Sequence, residues 1–272
     1  MDGRQRQGPM GEAQRETPRE SQGRQPSAAD GPLPGPGRTA QAAAGVRGRP
    51  AVAAVVLAAG MATRMGGVKQ VLPVDGEPMV RRVVAAALMA GLSPVWVVTG
   101  HGAAAVQAAL AGMPPDVRFV YNPDYAAGQA ASLKAGVRAA AGDAAALGAG
   151  ARGPDETAAG PRLAAAAPQG LAVLLADQPF VQPATLRRLV DLAFEPGALA
   201  AAAAYGPGRP GPPCVLRPPL WPAVLQLTGD RGARAVLLAA GGALRVLPVS
   251  PEELGDIDGP GDLELIRRPR PR

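Results

Sequence analysis

The chain has 272 residues, one cysteine, one histidine and a formal charge of +6. A lone cysteine excludes an internal disulfide and any multi-cysteine metal site, as suits a reducing compartment, and the length allows one large domain or two small ones. The positive excess lies at the ends. Residues 1–50 hold eight basic against five acidic side chains, Arg267, Arg268, Arg270 and Arg272 add four more cations, and 51–266 hold sixteen basic against seventeen acidic. A body with no basic excess lacks the electrostatic footprint of a specific nucleic-acid binder.

Residues 1–50 carry almost no large apolar side chains, so ordering them would bury too little surface to offset the entropy lost. They are expected to be a disordered basic tail, with the folded domain over 51–266 and a second basic tail over 267–272. No apolar signal-peptide core and no uninterrupted run of ~18 apolar residues occur, so no membrane association is expected and the cytoplasm is the default.

From Val52 the run A-V-V-L-A-A-G reads as a buried parallel strand feeding a loop, Gly60 to Lys69. A helix from about Met79 to Ala90 follows Pro78 and stops at Gly91, and P-V-W-V-V-T-G is a second strand ending in Gly. Next come a helix over about Ala103–Ala111, a strand at Val117–Tyr121, a loop, and a helix over Ser132–Ala141. Residues 142–169 have neither period and read as a flexible surface insertion. The strand Leu171–Ala176 then leads through Asp177 to the helix Pro183–Ala193 and a strand near Ala198–Ala204. A Pro/Gly-rich loop through Pro213, a helical patch at Ala233–Ala239, a strand at Leu244–Val249, the segment D-I-D-G-P and a short helix from about Gly261 complete the chain. This alternation predicts one α/β domain with a doubly wound, mostly parallel sheet. Ligands of such sheets bind at the carboxyl ends of the strands.

The segment from Leu57 to Lys69, L-A-A-G-M-A-T-R-M-G-G-V-K, is a small-residue turn with two cations five positions apart. Small side chains let backbone N–H groups approach a triphosphate, and Arg64 and Lys69 supply compensating charge. It is neither the dinucleotide fingerprint nor a P-loop. An ordinary strand-to-helix turn with solvated cations is the bland alternative. At the end of a later strand stands Asp177, a hard oxygen donor at the ligand edge of the sheet, although helix capping before a Pro-containing turn is a common use of Asp in such a place.

Taken in order, several segments resemble the nucleotidyltransferases related to molybdenum cofactor cytidylyltransferase. They are L-A-A-G-x-x-x-R-M-G-x-x-K, Val98-Thr99-Gly100-His101, Asn122-Pro123 with Gly128 to Leu133, Leu175-Ala176-Asp177-Gln178-Pro179, Thr228 to Arg234, and Asp256 to Leu263. Together they span nearly all of 51–266. The resemblance implies a Rossmann-like fold of the nucleotide-diphospho-sugar transferase type and a transfer of CMP from CTP to the phosphate of molybdopterin or molybdenum cofactor, with pyrophosphate released. It implies Mg²⁺ held by Asp177 and Asp258, and Arg64, Lys69 and Asp177 as the catalytic groups. Leu57, Ala58, Ala59, Gly60, Thr99, Gly100, Asn122 and Ser132 would surround the nucleotide, although Thr99 and Ser132 also suit a turn and a helix cap.

CTP is preferred because cytidylyl members look like L-A-A-G where guanylyl members tend to read L-A-G-G. The departure lies at Arg209 to Leu216, where Pro212 replaces the family's His or Asn and brings neither a polar side chain nor an N–H. The acceptor could accordingly be another sugar or polyol phosphate. A third reading is a weakly catalytic accessory protein that delivers cofactor to a molybdoenzyme or its chaperone. His101 is expected to be a loop histidine and Cys214 a small apolar residue in a strand.

Overall fold

The computed structural model describes residues 49–60, 67–142, 167–257 and 262. The expected N-terminal tail through residue 48, most of the insertion (143–166), Asp258 and the terminal helix apart from Asp262 lie outside the described residues.

In chain order the elements are β1 (Val52–Ala58), a small hairpin of β2 (Pro73–Val74) and β3 (Glu77–Pro78), α1 (Met79–Met89), β4 (Val95–Thr99), α2 (Ala103–Ala109) and β5 (Val117–Tyr121). They continue with α3 (Gln129–Ala140), β6 (Gly170–Leu175), α4 (Pro183–Ala193), β7 (Ala200–Ala204), β8 (Pro210–Leu216), α5 (Trp221–Leu225), α6 (Ala233–Ala239) and β9 (Leu244–Pro248). The main sheet has seven strands in the order β5-β4-β1-β6-β8-β7-β9. Only β8 runs against its neighbours; β1 pairs in parallel with β4 and β6, β4 with β5, and β7 with β9. The predicted doubly wound, mostly parallel α/β domain is what the chain forms. No helix among the described residues is long and apolar enough to cross a membrane.

Side-chain alternation along β1 divides the core in two, as the pleat requires. Ala54, Val56 and Ala58 pack beneath Val80, Val83 and Val84 of α1 and Leu186, Leu189 and Val190 of α4. Ala53 and Val55 pack on the other face against Leu133 and Val137 of α3, in a layer that also holds Val236 and Leu237 of α6. Both faces are therefore covered, which is why β1 reads as an unbroken apolar run. Five alanines make β7, a poor strand sequence locally; its burial between helices on both faces overrides that weak propensity.

Two local readings change. The predicted loop through Pro213 becomes β8 from Pro210 onward. Pairing to β7 runs through Cys214↔Ala202 and resumes at Gly211↔Ala203, so a bulge leaves Pro212 and Pro213 outside the ladder. Prolines, which lack the donor N–H, are tolerated at that place. Helix α3 begins at Gln129, three residues before the expected Ser132. Gly128 turns the chain at φ +104°, and the Ala130 N–H, unpartnered within the first helical turn, donates to the Gly229 carbonyl at 3.0 Å.

Candidate active site

A cleft of about 300 Å³ opens at the carboxyl ends of β1 and β6. Leu57, Ala59 and Gly60 come from the end of β1, and Leu175, Ala176 and Asp177 from the end of β6. The opposite wall is Tyr125 and Ala126 with Gly128, Gln129 and Ser132 at the start of α3; Gln70 and Asp230 complete the lining. The two strands are paired side by side from Val52↔Gly170 to Leu57↔Leu175, so residues 115 or more apart in sequence reach one edge together.

The charged centre of this edge joins two predicted residues. Lys69 Nζ donates to Asp177 Oδ2 at 2.9 Å, with side chains 11% and 28% exposed. Lys69 opens a 3-10 turn, Lys69–Val71, and its neighbour Gln70 donates through Nε2 to the Gly60 carbonyl at 3.0 Å, tying that turn to the end of β1. The Asp177 carboxylate is a hard oxygen donor, 28% exposed at the cleft and paired with the Lys69 ammonium, and such a donor fits a divalent metal ion. Its backbone carbonyl accepts from the Ile257 N–H at 3.0 Å, which binds the residue before Asp258 to the end of β6. Asp258 and Arg64 themselves lie outside the described residues.

The other predicted residues separate into wall and support. Ala59 and Ser132 line the cleft, whereas Ala58 is fully buried within the sheet. Thr99 is fully buried too, its hydroxyl donating to the Val120 carbonyl at 3.4 Å. Asn122 is held behind the wall. Its amide donates to Ser132 Oγ at 3.1 Å, its Oδ1 accepts from the Asp124 N–H at 3.0 Å, and its own N–H reaches the Thr99 carbonyl at 2.8 Å. Gly100 lies beneath Tyr125, and a Cβ there would fall 2.5 Å from the tyrosine Cβ. A glycine is thus what lets the cleft wall close down on the end of β4. His101 is exposed, with its ring 6.2 Å from that of Tyr125. Cys214 is buried in β8, and burial pushes its thiol pKa up to about 12, so it behaves as a small apolar side chain.

Several residues at this edge had no assigned place from sequence. Gln70, Tyr125 and Asp230 line the cleft. Gln178, next to Asp177 and only 1% exposed, donates from Nε2 to Asp256 Oδ1 at 2.9 Å and to the Tyr205 hydroxyl, which in turn donates to the Pro212 carbonyl. Burial drives the Tyr205 phenol pKa far up; Gln178 opposes the rise and the charge of Asp256 adds to it, so the phenol remains a neutral donor. The quoted L-A-D-Q-P stretch marked Gln178 as adjacent to a site, but nothing in the local sequence pattern points to Tyr205.

Residues 54–244 match the family model described as the MobA-like NTP transferase domain. The purine catabolism protein PucB of Bacillus subtilis is 32% identical over 228 residues, covering 80% of this chain and 97% of that protein. Among solved structures, a nucleotidyl transferase from Methanothermobacter thermautotroptrophicus is 30% identical with a TM-score of 0.61, covering 80% of this chain and 96% of its own. A manganese complex of Rv0371c from Mycobacterium tuberculosis is 26% identical with a TM-score of 0.54, covering 80% and 98%.

Proposed function

Since this chain belongs to the MobA-like NTP transferase family, we propose that it transfers CMP from CTP to the phosphate of a molybdopterin-type cofactor, releasing pyrophosphate. The observation that carries the reading is the Lys69–Asp177 pair at the mouth of a cleft floored by Ala59 and Gly60. Small floor residues leave room for a base and for close backbone approach, and a cation beside a hard carboxylate is what a triphosphate with its counter-ion requires.

Asp177, together with Asp258, would hold a divalent ion, Mg²⁺ in our reading, which when bound neutralises the triphosphate during in-line attack at the α-phosphorus. The ammonium of Lys69 turns from Asp177 to the phosphate oxygens, with Arg64 as the second cation of the loop. Leu57, Ala58, Ala59, Gly60, Thr99, Gly100, Asn122 and Ser132 form or back the nucleotide pocket. An acceptor phosphate is already ionised near neutral pH, so no strong base is needed and His101 is left without a catalytic part. The reaction is placed in the cytoplasm, with a molybdoenzyme or its chaperone as recipient of the product.

Pro212 favours a second reading, in which the acceptor is a sugar or polyol phosphate or cofactor is bound and delivered without turnover; use of GTP in place of CTP is a separate alternative on which Pro212 does not bear. One assay separates these: pyrophosphate release from each of the four triphosphates, with Mg²⁺ or Mn²⁺ and purified cofactor, with the product identified by mass. CTP-dependent release with a CMP-cofactor product is expected. Absence of pyrophosphate release with all four triphosphates would leave the delivery reading in its place.

A further inference from the structure

The bulge in β8 and the residue after Asp177 are joined by a chain of hydrogen bonds that the transfer chemistry described above does not use. Pro212 lies outside the β7 ladder, so its carbonyl is available, and the Tyr205 hydroxyl donates to it. The ring of Tyr205 lies over Gly211, where a Cβ would come within 2.9 Å of ring carbon Cε2. The same hydroxyl accepts from Gln178 Nε2, which also donates to Asp256 Oδ1 at 2.9 Å and reaches the Leu254 carbonyl at 3.4 Å.

The segment around Asp256 is fastened to the end of β6 at further points. Glu253 Oε1 accepts from the Gln182 N–H at 2.9 Å, the Ile257 N–H donates to the Asp177 carbonyl at 3.0 Å, and Ile257 packs with Val74, Met79 and Phe180. Three separate stretches of chain, 205–212, 177–182 and 253–257, therefore meet at the buried carboxamide of Gln178. That carboxamide touches both of the other stretches, and its residue is bonded in sequence to Asp177.

We propose that Tyr205, acting through Gln178, is a positioning residue for metal binding at Asp177, with the Pro212 carbonyl as its fixed anchor. The Gly-Pro-Pro stretch then has a use: Gly211 clears the ring's place, and Pro212, released from the ladder by the bulge, offers a carbonyl to the phenol. Groups that orient a metal ligand from behind commonly alter metal affinity by about tenfold or more when removed. This inference rests on the reading of Asp177 as a metal ligand.

The test is Mn²⁺ binding to the full-length protein, followed by electron paramagnetic resonance with a non-hydrolysable CTP analogue present, for the parent, Tyr205→Phe and Gly211→Ala. Tyr205→Phe removes one hydroxyl and keeps the ring. Gly211→Ala removes no polar group and displaces the ring. In both variants the Mn²⁺ dissociation constant should rise about tenfold, with a melting curve close to the parent's and, in turnover, a higher metal requirement at unchanged KM for the nucleotide at saturating metal. If both variants bind Mn²⁺ as the parent does, the positioning role is overturned while the metal reading stands. If the parent binds no Mn²⁺, the metal reading fails and takes the proposal with it.

Discussion

Lys69 and Asp177, 108 residues apart in sequence, meet at 2.9 Å where β1 and β6 end side by side. The pair is mostly buried, with side chains 11% and 28% exposed, so the cost of desolvating both charges offsets much of their attraction and its net contribution to stability is small. In the proposed reaction the pair places a cation and a carboxylate where a triphosphate and a metal ion would exchange partners with them. Asp177→Asn keeps the shape and removes the charge. Turnover should fall at least about a hundredfold, or ~3 kcal/mol in barrier, with a melting temperature close to the parent's. Asp258→Asn should behave alike, and the double variant should lose less than the sum because both carboxylates serve one ion. Near-parent turnover by Asp177→Asn at saturating metal and nucleotide would falsify the metal assignment.

Lys69→Met tests the other half of the pair. Without the ammonium the triphosphate of the proposed reaction loses a point charge, and Asp177 loses the contact at 2.9 Å. Rate under kcat/KM conditions should drop by about tenfold to a hundredfold, within the range for removing a charge-assisted contact. Lys69→Arg should restore it only in part, because a planar fork does not occupy the place of a compact ammonium. Full activity in Lys69→Met would remove Lys69 from the reaction.

Much of this edge was legible in the sequence for a physical reason. Strands buried on both faces are continuous apolar runs, so Val52–Ala58 and Gly170–Leu175 announce themselves, and whatever polar residue follows such a run must lie at the ligand edge. That logic found Asp177. It could not find Tyr205, whose place depends on a bulge in the adjacent strand β8, nor see β8 through three prolines that only a register shift accommodates. The resemblance implies that Asn122 and Ser132 are nucleotide neighbours; in the structure they are hydrogen-bonded to each other, and of the two Ser132 lines the cleft wall. Sequence order reports proximity to an edge, and side-chain direction within that edge is decided by packing.

Deleting residues 1–50 should leave folding and turnover nearly unchanged. Ala51 starts the ordered pairing, with its carbonyl accepting from the Gln169 N–H at 2.8 Å, and would be retained. The ion pair given up is Arg49–Asp191, at 3.8 Å with both side chains more than half exposed, which contributes little or nothing measurable. A severalfold loss of turnover or of soluble yield would place the domain boundary earlier.

Cys214 sets a pH dependence of stability. Its thiol is neutral in the fold up to about pH 12, against an ordinary value of 9.0, because burial disfavours the thiolate. In the unfolded chain the thiol ionises first, so the stabilising difference is fully present below pH 9.0 and is lost as pH rises toward 12. The slope approaches about 1.4 kcal/mol per pH unit within that window. Cys214→Ala should flatten the alkaline limb of a denaturation-midpoint profile. Native protein at pH 8 should react with a thiol reagent only at its unfolding rate, and rapid labelling would show the site to be open.

Base choice is the most local of these expectations. Ala59 is 2% exposed and lines the cleft, and its methyl stands about where a Cβ on Gly100 would come within 3.0 Å, so it is pressed between the floor of the cleft and the end of β4. Ala59→Gly removes that methyl from the floor and frees the backbone, which costs stability through unfolded-state entropy of about 0.5–1 kcal/mol and enlarges the pocket by one methyl. A purine needs more room than a pyrimidine, so the ratio of GTP to CTP turnover should rise. One methyl in an apolar wall discriminates by about 1–3 kcal/mol, so a change of roughly tenfold in that ratio is the reasonable size. The ratio, rather than either rate, is the measurement, because it cancels any loss of folded protein. A parent that already prefers GTP, or a ratio unmoved by the substitution, would separate Ala59 from base selection and leave the CTP preference without its sequence basis.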